Sequence, residues 1–195
     1  MKNFVVALAS TLLFAACAKK EGAPPADPAP EATMARTLTF PTASSLNADT
    51  TYAQPAMAGQ GLLDNDRLRL TFAPLAGRDY IRFTVPIAAL APGLSGSYKP
   101  LDQRHSAGAV AETFYTFGVA RNLASTGSFL VLGEEHATRG QLLVTSYDAS
   151  RRLLSGSFEM AIDNVQNLTD KFSVPNVPPL CNLRVTGTFA NLKLK

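Results

Sequence analysis

Two histidines, a glycine-flanked serine, three arginines in two alternating segments and two cysteines are the residues of this 195-residue chain that invite a chemical reading. His136 follows Glu134 and Glu135 between Gly133 and Gly140. Neighbours on one turn seldom converge on a single ion, and no H-E-x-x-H or comparable spacing accompanies them, so a solvated hairpin turn is the better reading. His105 sits in the polar run from Asp102 to Ser106. Gly93-Leu94-Ser95-Gly96-Ser97 fails the G-x-S-x-G pattern at its last position and lies in no strand-turn-helix context. Phosphate-cradling glycine motifs are absent. No catalytic residue, metal site or cofactor is therefore expected.

Arginine offers more. Leu68, Leu70 and Phe72 alternate with Arg67, Arg69 and Thr71, and Ile81, Phe83 and Val85 alternate with Tyr80, Arg82 and Thr84. Period-two alternation marks strands with one buried face, and the loop containing Pro74 and Gly77 makes the two a hairpin. Antiparallel pairing would bring Arg67, Arg69, Tyr80 and Arg82 onto one outward face. Guanidinium forks beside an aromatic ring suit a phosphate, carboxylate or sugar ligand; the plainer reading is an ordinary wetted sheet face. A second candidate is the interior. If the strands close into a barrel, Phe114, Tyr115, Phe117, Phe129 and Phe158 would line an apolar pocket or, more simply, fill a core.

Cysteine chemistry belongs to the N-terminus. One early charge, Lys2, precedes an uncharged run from Phe4 to Ala16, and Lys19, Lys20 and Glu21 end the run abruptly. A run this short does not span a bilayer, which takes about 20 residues, and it reads as a signal peptide over residues 1–16. Ala15-Ala16-Cys17 resembles a bacterial lipobox, with Phe14 departing from the commonest residue three positions before the cysteine. The resemblance implies diacylation of Cys17; an ordinary A-x-A cleavage site ending at Ala18 is the competing reading. Two acyl chains anchor firmly where one binds reversibly. Ala18, where enterobacterial sorting would use Asp for inner-membrane retention, implies the outer membrane, with the domain periplasmic or surface-exposed. Lipidation would leave Cys181 without an intramolecular partner, and Leu180 and Leu183 around it favour a buried, inert thiol.

Pro24, Pro25, Pro28 and Pro30 interrupt the next stretch, so residues 17–35 read as a lipidated cysteine and tether with a reach on the order of 50 Å. Without residues 1–16 the net charge falls from +3 to +2, because only Lys2 is lost. A value so close to neutral speaks against nucleic acid as a partner despite a sequence pI near 9.0. Residues 36–195 suffice for one domain with one core.

That domain reads as strands throughout. Thr37 to Phe40 makes a short first strand. Residues 41 to 66 read mostly as loop, with a short strand near Thr50 to Ala53, and Ile87 to Leu90 makes at most one helical turn. Thr113 to Val119 is a strand, Gly140 to Tyr147 pairs with Leu153 to Ile162 across residues 148–152, and a long strand closes the chain from Asn182. Its apolar phase slips after Phe189 to Leu192 and Leu194, which predicts a bulge or a change of sheet.

Hydroxyl-flanked glycines with an aromatic two residues later begin at Leu94, Ser125, Leu154 and Val185, spaced 31, 29 and 31 residues apart. Either the domain repeats a 30-residue unit or its strands use glycine where a facing ring needs room. The run from Tyr147 to Phe158, the Asn-rich stretch after it, Val185-Thr186-Gly187-Thr188-Phe189 and the lipobox together resemble a group of small Bacteroidetes lipoproteins of unknown function with β-rich domains. The expectation is an all-β, single antiparallel β-sandwich or barrel of about eight to ten strands. Its expected role is a non-enzymatic, membrane-anchored envelope lipoprotein binding a protein or an acidic glycan; a β-barrel carrier of a small apolar ligand is the alternative.

Overall fold

A computed structural model describes residues 26–41, 49–54, 56–75, 79–101, 108–121, 125–132, 138–166 and 180–195. Eleven strands form one sheet: β1 (Glu31–Thr39), β2 (Thr50–Gln54), β3 (Met57–Leu63), β4 (Arg67–Pro74), β5 (Tyr80–Pro86), β6 (Gly96–Pro100), β7 (Ala109–Arg121), β8 (Ser125–Leu132), β9 (Thr138–Asp148), β10 (Leu153–Gln166) and β11 (Leu180–Lys193). Their order is β2-β1-β11-β10-β9-β6-β7-β5-β4-β3, with β8 branching from β7. The sheet nearly closes on itself. Gly61 of β3 bridges Leu194 in parallel, the Leu63 amide donates to the Lys195 carbonyl at 3.1 Å and the Lys195 amide donates to Gly61 at 3.0 Å. Closure removes most of the unpaired edge that an open sheet of this width would present.

Why these residues make these strands is plainest in the β4–β5 hairpin. Leu68, Leu70, Phe72, Ile81, Phe83 and Val85 are each 0% exposed, so every second residue enters the core. The core is continuous from these strands to Met160, Leu183 and Leu192 across the barrel. Phe72 stacks on Phe158 with centroids 5.0 Å apart and approaches Phe189 at 5.2 Å, while Phe83 meets Phe158 at 5.4 Å. Offset rings at this spacing add about 0.5–1.5 kcal/mol per pair beyond the area they bury.

The glycine signature is a packing device. Gly156 is paired with Phe189, and Phe158 with Gly187. A methyl group on Gly156 would lie 2.7 Å from the Phe189 ring, and one on Gly187 would collide with Phe158. Each of these two strands thus supplies the ring that fills the other's gap, which accounts for the signatures at Leu154 and Val185.

Four expectations shift. The first strand begins at Glu31, not Thr37, because residues 31–39 pair with Asn182–Ala190 throughout. The region read as loop contains β3 besides β2. Its alternation is hidden in sequence because only Met57 and Leu63 of its four inward positions carry side chains; at the two between them, Gly59 and Gly61, methyl groups would lie 2.7 and 2.5 Å from Leu192 and Leu194. Eleven strands stand among the described residues, one more than the upper end of the expected range. Finally, pairing is not wholly antiparallel: β6, which follows the 3-10 turn Ile87–Ala89, pairs antiparallel with β9 and parallel with β7. The predicted bulge in the last strand is present. Leu154 pairs with Leu192 but Gly156 with Phe189, three residues against two, and Asn191 adopts a positive φ of 55°.

Candidate functional site

The outward face of β3, β4, β5 and β7 carries the predicted arginines. Arg69 stands opposite Thr84, and Thr71 opposite Arg82, so Arg69 and Arg82 are diagonal neighbours on adjacent strands. Arg82 lies opposite Phe114 of β7, and Tyr80 opposite Thr116. The structure therefore brings Arg67, Arg69, Tyr80 and Arg82 onto one face, all partly buried.

Phe114 completes it. The Arg82 guanidinium lies 5.0 Å above the Phe114 ring centre, and Tyr80 meets that ring edge-on at 5.8 Å. Sequence reasoning placed Phe114 in the interior with Tyr115. Successive residues of a strand point to opposite faces, so both cannot line one cavity: Tyr115 is buried inside and Phe114 belongs to the arginine face. Of the remaining interior candidates Phe158 is buried in the core, and the side chains of Phe117 and Phe129 lie outside the described residues.

Charge on this face is incompletely compensated. Arg67 approaches Asp66 only at 3.9 Å, with both side chains well exposed, a pairing that contributes little. Among the described residues neither Arg69 nor Arg82 forms an ion pair within 4 Å, although the Asp64 charge is felt by Arg69 and Glu112 stands diagonal to Arg82 on β7. Arg69 Nε is buried without any hydrogen-bond partner there. Buried donors are nearly always paired, and this nitrogen stands out against that rule. The turn from β3 to β4 is fixed from below: Asp64 accepts the Asp66 and Arg67 amides, each at 2.9 Å, and those bonds hold its carboxyl below the usual range.

A second arginine site lies inside the barrel, and sequence reasoning missed it. Arg36 of β1 is 8% exposed and donates from Nη1 to both carboxylate oxygens of Asp79, at 2.9 and 3.1 Å; Asp79 is 4% exposed. The Tyr115 hydroxyl stands 3.5 Å from the same nitrogen. Burial pushes that hydroxyl above the ordinary phenol range, with the Arg36 charge opposing it. Tyr52, paired with Arg36 across β1 and β2, covers the guanidinium at 5.0 Å. The signal was present in the sequence: Arg36 falls in phase with Ala32, Met34 and Leu38, and Asp79 in phase with Ile81, Phe83 and Val85. A charge in an apolar phase implies a buried partner.

Two grooves open elsewhere on the outer surface. One, about 450 Å³, crosses β1, β11, β10 and β9 over Thr33, Ala35, Ser157 and Thr186. The other, about 500 Å³, follows the seam between β1 and β3 past Ala32, Met57 and Leu75. Cys181 is buried, and burial raises its thiol to about 11. Cys17, His105, Glu134, Glu135 and His136 lie outside the described residues. Comparison with protein-family models, with curated protein sequences and with solved structures yields no match.

Proposed function

We propose that this chain is an envelope lipoprotein, anchored through Cys17 at the outer membrane, whose β domain binds an anionic partner at the face formed by Arg67, Arg69, Tyr80, Arg82 and Phe114. The observation that carries this reading is the contrast between stacking and pairing: Arg82 is held on an aromatic ring, yet neither it nor Arg69 forms an ion pair with a carboxylate among the described residues. A guanidinium positioned by a ring keeps its hydrogen-bonding edge available for an incoming oxyanion. The partner is an acidic glycan or an acidic surface of another envelope protein. Interlocked rings of Phe72, Phe83, Phe158 and Phe189 across the barrel make the surface a better binding site than the interior.

The tether reading is sharpened by contacts at its end. Lys193 Nζ reaches Asp27 at 2.6 Å and Asn191 Nδ2 donates to the Ala29 carbonyl at 3.4 Å. With Asp27 and Ala29 held by the domain, the free part of the proposed tether after Cys17 has a reach of about 30 Å. The anchor is tested by Cys17→Ala in the full chain: acyl labelling and membrane retention are expected to disappear while the β signature in circular dichroism persists. Continued acylation of that variant overturns the anchor. The binding face is tested by retention of the detergent-solubilised full-length protein on an immobilised acidic glycan, before and after Arg69→Ala with Arg82→Ala. Retention unchanged by the double substitution removes the face from the proposal.

A further inference from the structure

Resting on the proposed anionic partner, the geometry points to one particular form of it: we infer that the face takes a linear polyanionic glycan that spans several guanidiniums at once, and not a single anionic group. Arg67 and Arg69 are alternate residues of β4, which puts their Cα atoms about 7 Å apart along the strand. Arg82 extends the row onto β5, where the pairing of Thr71 with Arg82 makes it the diagonal neighbour of Arg69. The three cations thus form a line running obliquely from the β3–β4 turn toward the Phe114 ring, not a ring of donors around one point.

Three further observations favour an extended occupant. Gln60 and Thr71, paired across β3 and β4, lie in the same row as Arg82 and supply neutral hydrogen-bonding groups beside the cations. Glu112 stands opposite Thr84 and diagonal to Arg82, exposed, and its charge bounds the face on the β7 side, so a polyanion is directed along β4 and β5. Arg69 Nε, buried and unpartnered, gains a hydrogen bond when the side chain turns its Nε–Nη edge to an oxyanion, the side-on geometry that carboxylate and sulfate both accept.

Simultaneous engagement of linked anions makes the second and third contacts effectively intramolecular, which raises affinity by about a hundredfold or more over the isolated unit. The test is calorimetry on the full-length protein in detergent with two probe series, galacturonic acid against its linear hexamer and a sulfated disaccharide against a heparin hexasaccharide. The expected result is a hexamer binding at least about a hundredfold tighter than its own monomeric unit. Arg67→Ala, Arg69→Ala and Arg82→Ala should each lower hexamer affinity about tenfold, and added salt should weaken it steeply. The series that binds tells carboxylate from sulfate. Equal affinity for unit and hexamer overturns the extended mode while leaving an anion-binding face standing. Absence of binding in both series, with the variants and parent alike, overturns the face itself. Circular dichroism of each variant verifies that the barrel persists.

Discussion

Arg36 and Arg82 are both stacked on an aromatic ring at 5.0 Å, one inside the barrel and one outside, yet among the described residues only the inner one forms an ion pair with a carboxylate. The difference follows from what each environment permits. Moving a guanidinium into the interior without neutralising it costs several kcal/mol, and Asp79, arriving from the start of β5, supplies the counter-charge that lets β1 carry Arg36 in an apolar phase. On the outer face solvent screens Arg82 and no such demand exists. Its ring support therefore serves orientation, and its uncompensated charge is available for function. Arginine next to an aromatic is an ambiguous motif until its counter-charge is located.

The comparison breaks or sharpens most decisively at Asp79. Asp79→Ala leaves Arg36 charged and buried and is expected to destabilise the domain by about 3–5 kcal/mol in urea denaturation. A loss below about 1 kcal/mol would mean that the inner arginine does not depend on its partner. Replacing both members, Arg36→Met with Asp79→Leu, is expected to recover most of that loss, because hydrophobic groups of similar volume remove the desolvation penalty together with the pair. Failure of the double variant to exceed Asp79→Ala in stability would assign the cost to packing. Tyr52→Ala removes the cover from Arg36 and should cost about 0.5–1 kcal/mol, the range of a partly exposed cation–π contact. Arg69→Ala and Arg82→Ala come last in stability, each within about 0.5 kcal/mol of the parent, although they are the substitutions expected to reduce anion binding most. A large stability loss at Arg82 would move it into the structural class of Arg36.

Much of the barrel was legible because strand geometry writes itself locally. Alternation in Leu68 to Phe72, Ile81 to Val85 and Leu154 to Ile162 gave the hairpins, and the slip after Phe189 gave the bulge, since side chains on a strand must alternate whatever lies across from them. β3 stayed hidden because Gly59 and Gly61 replace two of its inward side chains, and the reason for those glycines, Leu192 and Leu194, lies more than 130 residues away in sequence. Phe114 was misplaced because both neighbours in Phe114-Tyr115 are aromatic and composition alone does not say which faces inward.

The sequence by itself determined an all-β domain, the phase of each well-patterned strand and the common face of Arg67, Arg69, Tyr80 and Arg82. Tertiary structure alone decided that the sheet curls until Gly61 meets Leu194, that Arg36 finds Asp79 while Arg82 stacks on Phe114, and that glycine and phenylalanine exchange places across β10 and β11. The division has one physical cause. The direction of a side chain follows from its own backbone with a period of two, whereas the identity of its partner depends on which distant strand the closing sheet brings alongside.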